Sequence, residues 1–273
     1  RLIKEGISGK GYKEFINSDL GGFNAIYNFT NTGNLAIELI FEFDSGKLSE
    51  LGYYFERNLF YHLYIKRSAS SQNYYLKERI FQEPKHGFSK DWIWLEIENG
   101  TGVASEKDDE SDNQKLIKYD SLDGQESALK TISDPNRYSA LYALRNAINQ
   151  ISNYEIFDTR QKSKLRQPMI STSATILDPE GDNLPQILNT ININQKDDYK
   201  SIKELLHKIN SGYTNIDFNH IGPNIELILE EEKLKKSVHV AHISDGTLQF
   251  LCLLAILKNK NAGNLITIDE PEV

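Results

Sequence analysis

The last residues of this chain constrain it most. Leu265-Ile266-Thr267-Ile268 is a run of apolar side chains and one Thr with no polar alternation, the pattern of a strand covered on both faces. Asp269 and Glu270 follow at once, where that strand should end. Pro271 then closes it, because proline has no N–H to donate to a ladder. In open α/β sheets, ligands sit beyond the carboxyl ends of the strands. A carboxylate there is placed to hold Mg²⁺ directly or through water, and its neighbour to orient an attacking water. Asp269 is the candidate metal residue and Glu270 the candidate catalytic residue.

A second stretch complements the first. Ile243-Ser244-Asp245-Gly246-Thr247-Leu248-Gln249-Phe250 opens an apolar helix. Ser244 or Asp245 can cap it, Gly246 permits close backbone approach, and Thr247 adds a hydroxyl. Free first-turn amides and the helix dipole suit such a start to an anion. Leu248, Leu251, Cys252, Ala255 and Ile256 recur at helical spacing and read as the face that packs on a sheet. The structural alternatives are a plain helix cap and an acidic loop after a buried strand.

Four hydrophobic positions followed by Asp-Glu is the Walker B pattern. Ser-Asp-Gly-Thr, an apolar helix, a short turn and Ile-Thr-Ile-Asp-Glu-Pro-Glu together resemble the signature helix and Walker B of ABC-type ATPases. The nearest group is the predicted AAA-family ATPases related to RecF and SMC heads. Tyr154-Glu155-Ile156-Phe157-Asp158, Leu165-Arg166-Gln167-Pro168 and Leu177-Asp178-Pro179-Glu180-Gly181-Asp182-Asn183-Leu184-Pro185 resemble that group's middle segment, in the same order. The likeness is specific over the second half of the chain and general over the first.

The resemblance implies an α/β P-loop NTPase: an ABC-type ATPase head with an antiparallel β subdomain and a helical segment. It implies ATP and Mg²⁺ as cofactors, Asp269 in the metal shell and Glu270 polarising the attacking water. Ser244, Asp245, Gly246 and Thr247 would then cap the γ-phosphate of ATP on a partner subunit, in a nucleotide-sandwich homodimer. Asp245 stands where many ABC signatures have Gly. A carboxylate near a phosphate costs Coulomb energy unless it points away or caps its own helix; the RecF-like relatives also carry Asp there. Relatives are coupled to a nuclease or other effector protein, in DNA repair or in defence against phage. DNA is a possible partner, though a basic groove to hold it is something sequence cannot show. The alternative reading is a non-catalytic ABC-like interaction scaffold.

Bulk properties bound these expectations. The chain of 273 residues can bury a full core and suggests one or two domains, split at 1–124 and 125–273. No apolar run reaches the ~20 residues needed to span a bilayer, and no secretory leader opens the sequence. One cysteine rules out an internal disulfide framework and fits a reducing cytoplasm. A net charge of −8 argues against a generally basic nucleic-acid coat.

A P-loop needs G-x-x-x-x-G-K-[ST]. Gly6-Ile7-Ser8-Gly9-Lys10-Gly11 has the wrong spacing, a Gly where Ser or Thr must meet Mg²⁺, and no apolar strand before it. It reads as a decoy, a mobile Gly-rich loop. An Arg start and an end just past Glu270 suggest a fragment whose Walker A and switch histidine lie outside the given residues.

In order, residues 1–20 read as the tail of a helix and a loop. Residues 34–120, rich in aromatic and β-branched runs, read as an antiparallel β subdomain. Gly100-Thr101-Gly102 and 105–112 read as an exposed acidic hairpin loop. Residues 125–152 turn helical, with Asp134 as cap and Pro135 at the first helical position. A strand follows at 154–158, then helices from 182 or 183 to 190 and from 197 to 209, then strands at 216–220, 225–229 and 238–242. Arg166 is tempting as a phosphate or partner contact, against the ordinary reading of an exposed surface pair. His220, His239 and His242 fit no zinc spacing. Cys252 reads as a buried thiol on the apolar face of its helix.

Overall fold

A computed structural model of the chain describes residues 1–26, 36–68, 73–86, 89–106, 115–263 and 265–269. It divides into two compact units, Arg1–Gln150 and Ile151–Val273. The division falls after Gln150 and not at 124/125, because the helix ending at Asn149 packs on elements of the first unit.

The first unit opens with α1 (Leu2–Ile7), then α2 (Tyr12–Glu14), which runs into a π-turn (Phe15–Asp19), and α3 (Phe23–Ile26). Then come β1 (Ala36–Phe43), α4 (Ser45–Glu50), β2 (Leu59–Arg67), β3 (Tyr74–Gln82), β4 (Trp92–Glu98), β5 (Thr101–Glu106) and β6 (Lys115–Tyr119). α5 (Ala128–Thr131) and α6 (Ser139–Asn149) finish it. Each strand pairs antiparallel with the next, in the order β1 to β6. Alternation drives this: Leu59, Tyr61, Leu63 and Ile65 of β2, and Tyr74, Leu76, Glu78 and Ile80 of β3, all point into the core. The sheet is the antiparallel β subdomain expected over 34–120.

One member of that inward row is a carboxylate. Glu78 is 1% exposed. It accepts hydrogen bonds from Tyr61 Oη at 2.7 Å, Ser127 Oγ at 2.6 Å and the Ala128 amide at 2.5 Å. It thereby caps α5, whose own N-cap residue Ser127 makes no side-chain cap bond.

The described part of the expected acidic loop is not loop: Thr101–Glu106 form strand β5, and the turn lies just before it. Asn99 and Gly100 both adopt positive φ, 50° and 77°, and turn β4 directly into β5. Such a two-residue turn requires positive φ at both positions, and a Cβ on Gly100 would strike the Leu122 carbonyl. Residues 107–112 lie outside the described residues. Asp134 is not the cap of α6. Its side chain accepts from the Asn136 amide at 2.9 Å, a local turn that holds the chain out of helix until Ser139.

The second unit contains β7 (Ile151–Tyr154), β8 (Met169–Ile170), α7 (Leu184–Asn194), α8 (Lys196–Ile209), β9 (Tyr213–Ile221), β10 (Asn224–Glu231), β11 (Val238–His239), α9 (Asp245–Leu257) and β12 (Leu265–Ile268). β10 pairs antiparallel with β9, β11 and β8. β12 pairs in parallel with β7, Leu265 opposite Ile151 and Ile268 opposite Tyr154. The strand expected at 154–158 thus lies earlier, at 151–154. Leu188 and Ile191 of α7, Ile202 of α8, Leu229 of β10, and Leu251 and Ala255 of α9 share one buried cluster. Ile266 and Ile268 pack on it. Among the described residues only that face of β12 is covered. Leu265 and Thr267 are exposed, so the strand is not buried on both sides as its composition suggested. The run expected as a strand at 238–242 ends after two residues and becomes a 3₁₀ turn, Val240–His242.

Candidate functional site at the tip of α9

The reason for that early ending lies in a residue upstream. Arg166 is 6% exposed. Its Nε donates to the Thr159 carbonyl at 2.6 Å, and its Nη1 to the carbonyls of Val240 at 3.3 Å, Ala241 at 3.3 Å and Ile243 at 2.6 Å. Its Nη2 donates to Asp245 Oδ1. The guanidinium gathers these carbonyls to one side, and the Ile243 amide closes a 3₁₀ turn on the Val240 carbonyl at 3.3 Å where a strand would have continued. Arg166 is therefore neither a surface pair nor a free phosphate contact. It is a buried brace between the loop before it and the approach to α9. The motif Leu165-Arg166-Gln167-Pro168 carried the hint; nothing in the sequence told which backbone its fork would meet.

The tip itself follows. Ser244 is the N-cap, extended at φ −63° and ψ 151°, and its Oγ accepts from the Thr247 amide at 3.2 Å. The Ser244 and Thr247 hydroxyls lie 2.7 Å apart. Of the two caps expected, the serine serves, and Asp245 turns its carboxylate to Arg166. The Asp245 side chain remains 68% exposed while its partner is 5% exposed. The amides of Asp245 and Gly246 precede the first intrahelical bond, and no partner among the described residues takes them up. Gly246 is exposed, and a Cβ built on it would meet nothing within 4 Å. Neither packing nor backbone strain among the described residues requires glycine there.

Asp269 continues β12. Its amide donates to the Tyr154 carbonyl at 2.9 Å, extending the parallel ladder by one bond, and its side chain is exposed. Glu270 lies outside the described residues. Among those residues no hydrogen bond or ion pair joins Asp269 to Ser244–Thr247. The two groups stand on separate elements that share one core. The chemistry of these donors fits the cofactors the fold implies. Free first-turn amides suit phosphate oxygens, and a lone carboxylate beyond a strand suits Mg²⁺, which keeps several waters and takes few protein ligands.

The remaining candidates have structural roles. Gly6 lies within α1, where a Cβ would collide with the Tyr12 ring; Gly11 has φ 103°. Lys10 pairs with Asp19 at 2.9 Å. The glycine run is thus a packed helix end, not the mobile loop expected of it. His239 Nδ1 lies 3.1 Å from Glu226 Oε1. Cys252 is buried, and burial pushes its thiol well above the usual range. No helix among the described residues is long and apolar enough to cross a membrane.

No curated protein and no solved structure matches the chain. One family does: its description reads "AAA domain, putative AbiEii toxin, Type IV TA system", and it matches residues 14–273. With nearly its whole length inside that match, the chain belongs to this AAA-domain family.

Proposed function

We propose that the protein is an ABC-type ATPase head that binds and hydrolyses ATP as a nucleotide-sandwich homodimer. The observation that carries this is the tip of α9. Two amides there have no partner among the described residues, two hydroxyls bonded to each other stand beside them, and the missing Cβ of Gly246 serves nothing among the described residues. A phosphate approaching from another subunit would use that open space. The tip offers amides and hydroxyls to the γ-phosphate, and the helix dipole adds to them. Asp269, at the end of a strand in parallel pairing, holds the Mg²⁺ shell. When bound, Mg²⁺ neutralises charge on the phosphates. Glu270 polarises the water that attacks.

Membership of the AAA-domain family supports nucleotide chemistry in general. The family description names a toxin of type IV toxin–antitoxin systems, and a role in defence against phage accords with it. The test is ATP turnover by the full-length gene product beside its Glu270→Gln variant. Turnover should fall by about 10²-fold or more while ATP still drives dimerisation. Hydrolysis unchanged by that substitution would remove Glu270 from the chemistry.

A further inference from the structure

We propose that Arg166 is a positioning residue for the phosphate-binding tip of α9. It fixes the turn that aims the tip and screens the charge of Asp245 from an incoming phosphate. This rests on the reading of the tip as an ATP contact.

The arrangement fits a guanidinium and no other side chain. One planar fork reaches four carbonyls on two segments and one carboxylate, with Nε, Nη1 and Nη2 all engaged. Lysine offers a point charge without that spread. The carbonyls of Val240, Ala241 and Ile243 lie immediately before Ser244, so the path of the chain into the cap is set by Arg166. The Val240 carbonyl also accepts from the Ile243 amide at 3.3 Å and the Ala241 carbonyl from Gln161 Nε2 at 3.4 Å, so the guanidinium adds a donor to these two and is the donor that meets the Thr159 and Ile243 carbonyls.

Charge is the second part. A carboxylate at the first helical position favours the helix dipole but repels phosphate. Asp245 is exposed and lies within the proposed contact surface, yet it shares its Oδ1 with a buried guanidinium. The pair is close to neutral as seen from outside, so the amides keep their positive field. Without Arg166 the same tip carries a full negative charge.

The test compares R166A, R166K, D245N and the R166A/D245N double variant in the full-length gene product. ATP turnover is titrated against ATP at low and high salt. R166A should raise KM for ATP about 10-fold, R166K should recover little of it, and the double variant should recover most of the part that fades with salt. D245N alone should lower KM about 3-fold at low salt, an effect that a purely structural brace would not produce. A double variant no better than R166A, or a D245N variant with unchanged KM at low salt, overturns the screening role.

Hydrogen exchange of the amides of residues 240–247 gives a readout that needs no ATP. R166A should speed it at least about 10-fold, leaving α7 and α8 protected. Equal exchange in R166A and wild type overturns the positioning role. Absence of turnover in the wild type would sink the ATPase reading while leaving the exchange result to decide the brace.

Discussion

Each unit buries one charged side chain against a helix start, and the two are resolved differently. Glu78 in the first unit accepts from two hydroxyls and one amide. No cation pairs with it among the described residues. Arg166 in the second donates to four carbonyls and one carboxylate. The difference follows from acid–base chemistry. A carboxylate can shed its charge by taking a proton, and burial raises the Glu78 carboxyl above its ordinary value of 4.5 while the bonds from Ser127, Tyr61 and Ala128 pull it down. A guanidinium cannot lose its proton in a protein, so its site needs acceptors enough for a permanent cation. Arg166 therefore sits where several carbonyls converge and an acid can reach it.

The sharpest way to break this comparison is to remove the cation. R166A should cost about 3–4 kcal/mol in unfolding free energy, because the Thr159 and Ile243 carbonyls lose their donor and those of Val240 and Ala241 lose one of two. Urea denaturation of the protein measures it; a loss below about 1 kcal/mol would mean that water replaces the fork. Asp245 contributes little to that figure, since its own side chain is largely in solvent.

E78Q comes next. The amide keeps one acceptor oxygen but turns a donor toward Ser127, Tyr61 or the Ala128 N–H, and should cost about 1–3 kcal/mol. The pH dependence carries the comparison. A buried acid with a raised pKa binds its proton more tightly folded than unfolded. Its contribution is full below pH 4.5 and is lost as pH rises through the raised value. The gap in Tm between wild type and E78Q should therefore narrow as pH rises. The gap between wild type and R166A should stay flat across the same range. A parallel response in both would erase the distinction.

The smallest effect on stability sharpens the functional side. G246A has open space and no special φ, so it should change stability by less than about 1 kcal/mol, in the favourable direction. If the tip meets a partner's phosphate, the same methyl should lower ATP-driven dimerisation at least about 10-fold, read by light scattering. A variant both stable and fully active would show that the open space has no occupant.

Much of this was legible in the chain. The aromatic and β-branched runs over 34–120 announced an antiparallel sheet, and the spacing from Asp197 to Ile209 announced a helix that runs from Lys196 to Ile209. A cap at Ser244 or Asp245, the apolar face behind it and the burial of Cys252 also followed from local pattern, and the structure chose the serine. What failed were judgements that depend on partners far along the sequence. Residues 240–242 look like strand, but Arg166, more than seventy positions upstream, holds the carbonyls of Val240, Ala241 and Ile243. Asp134 and Pro135 look like a helix start, yet the local turn keeps the chain out of helix until Ser139. Asn99-Gly100 was a readable turn signal obscured by the acidic run after it.

By itself the sequence determined where apolar faces and helix caps must lie, because periodicity and capping act over a few residues. It also marked Asp269, Glu270 and the Ser244–Thr247 tip as the groups with chemistry to offer. The tertiary structure alone decided that Glu78 is buried as a cap, that Arg166 is a brace, and that Asp245 faces Arg166. A buried charge is tolerable only where its partners converge, and that convergence exists in three dimensions, not along the chain.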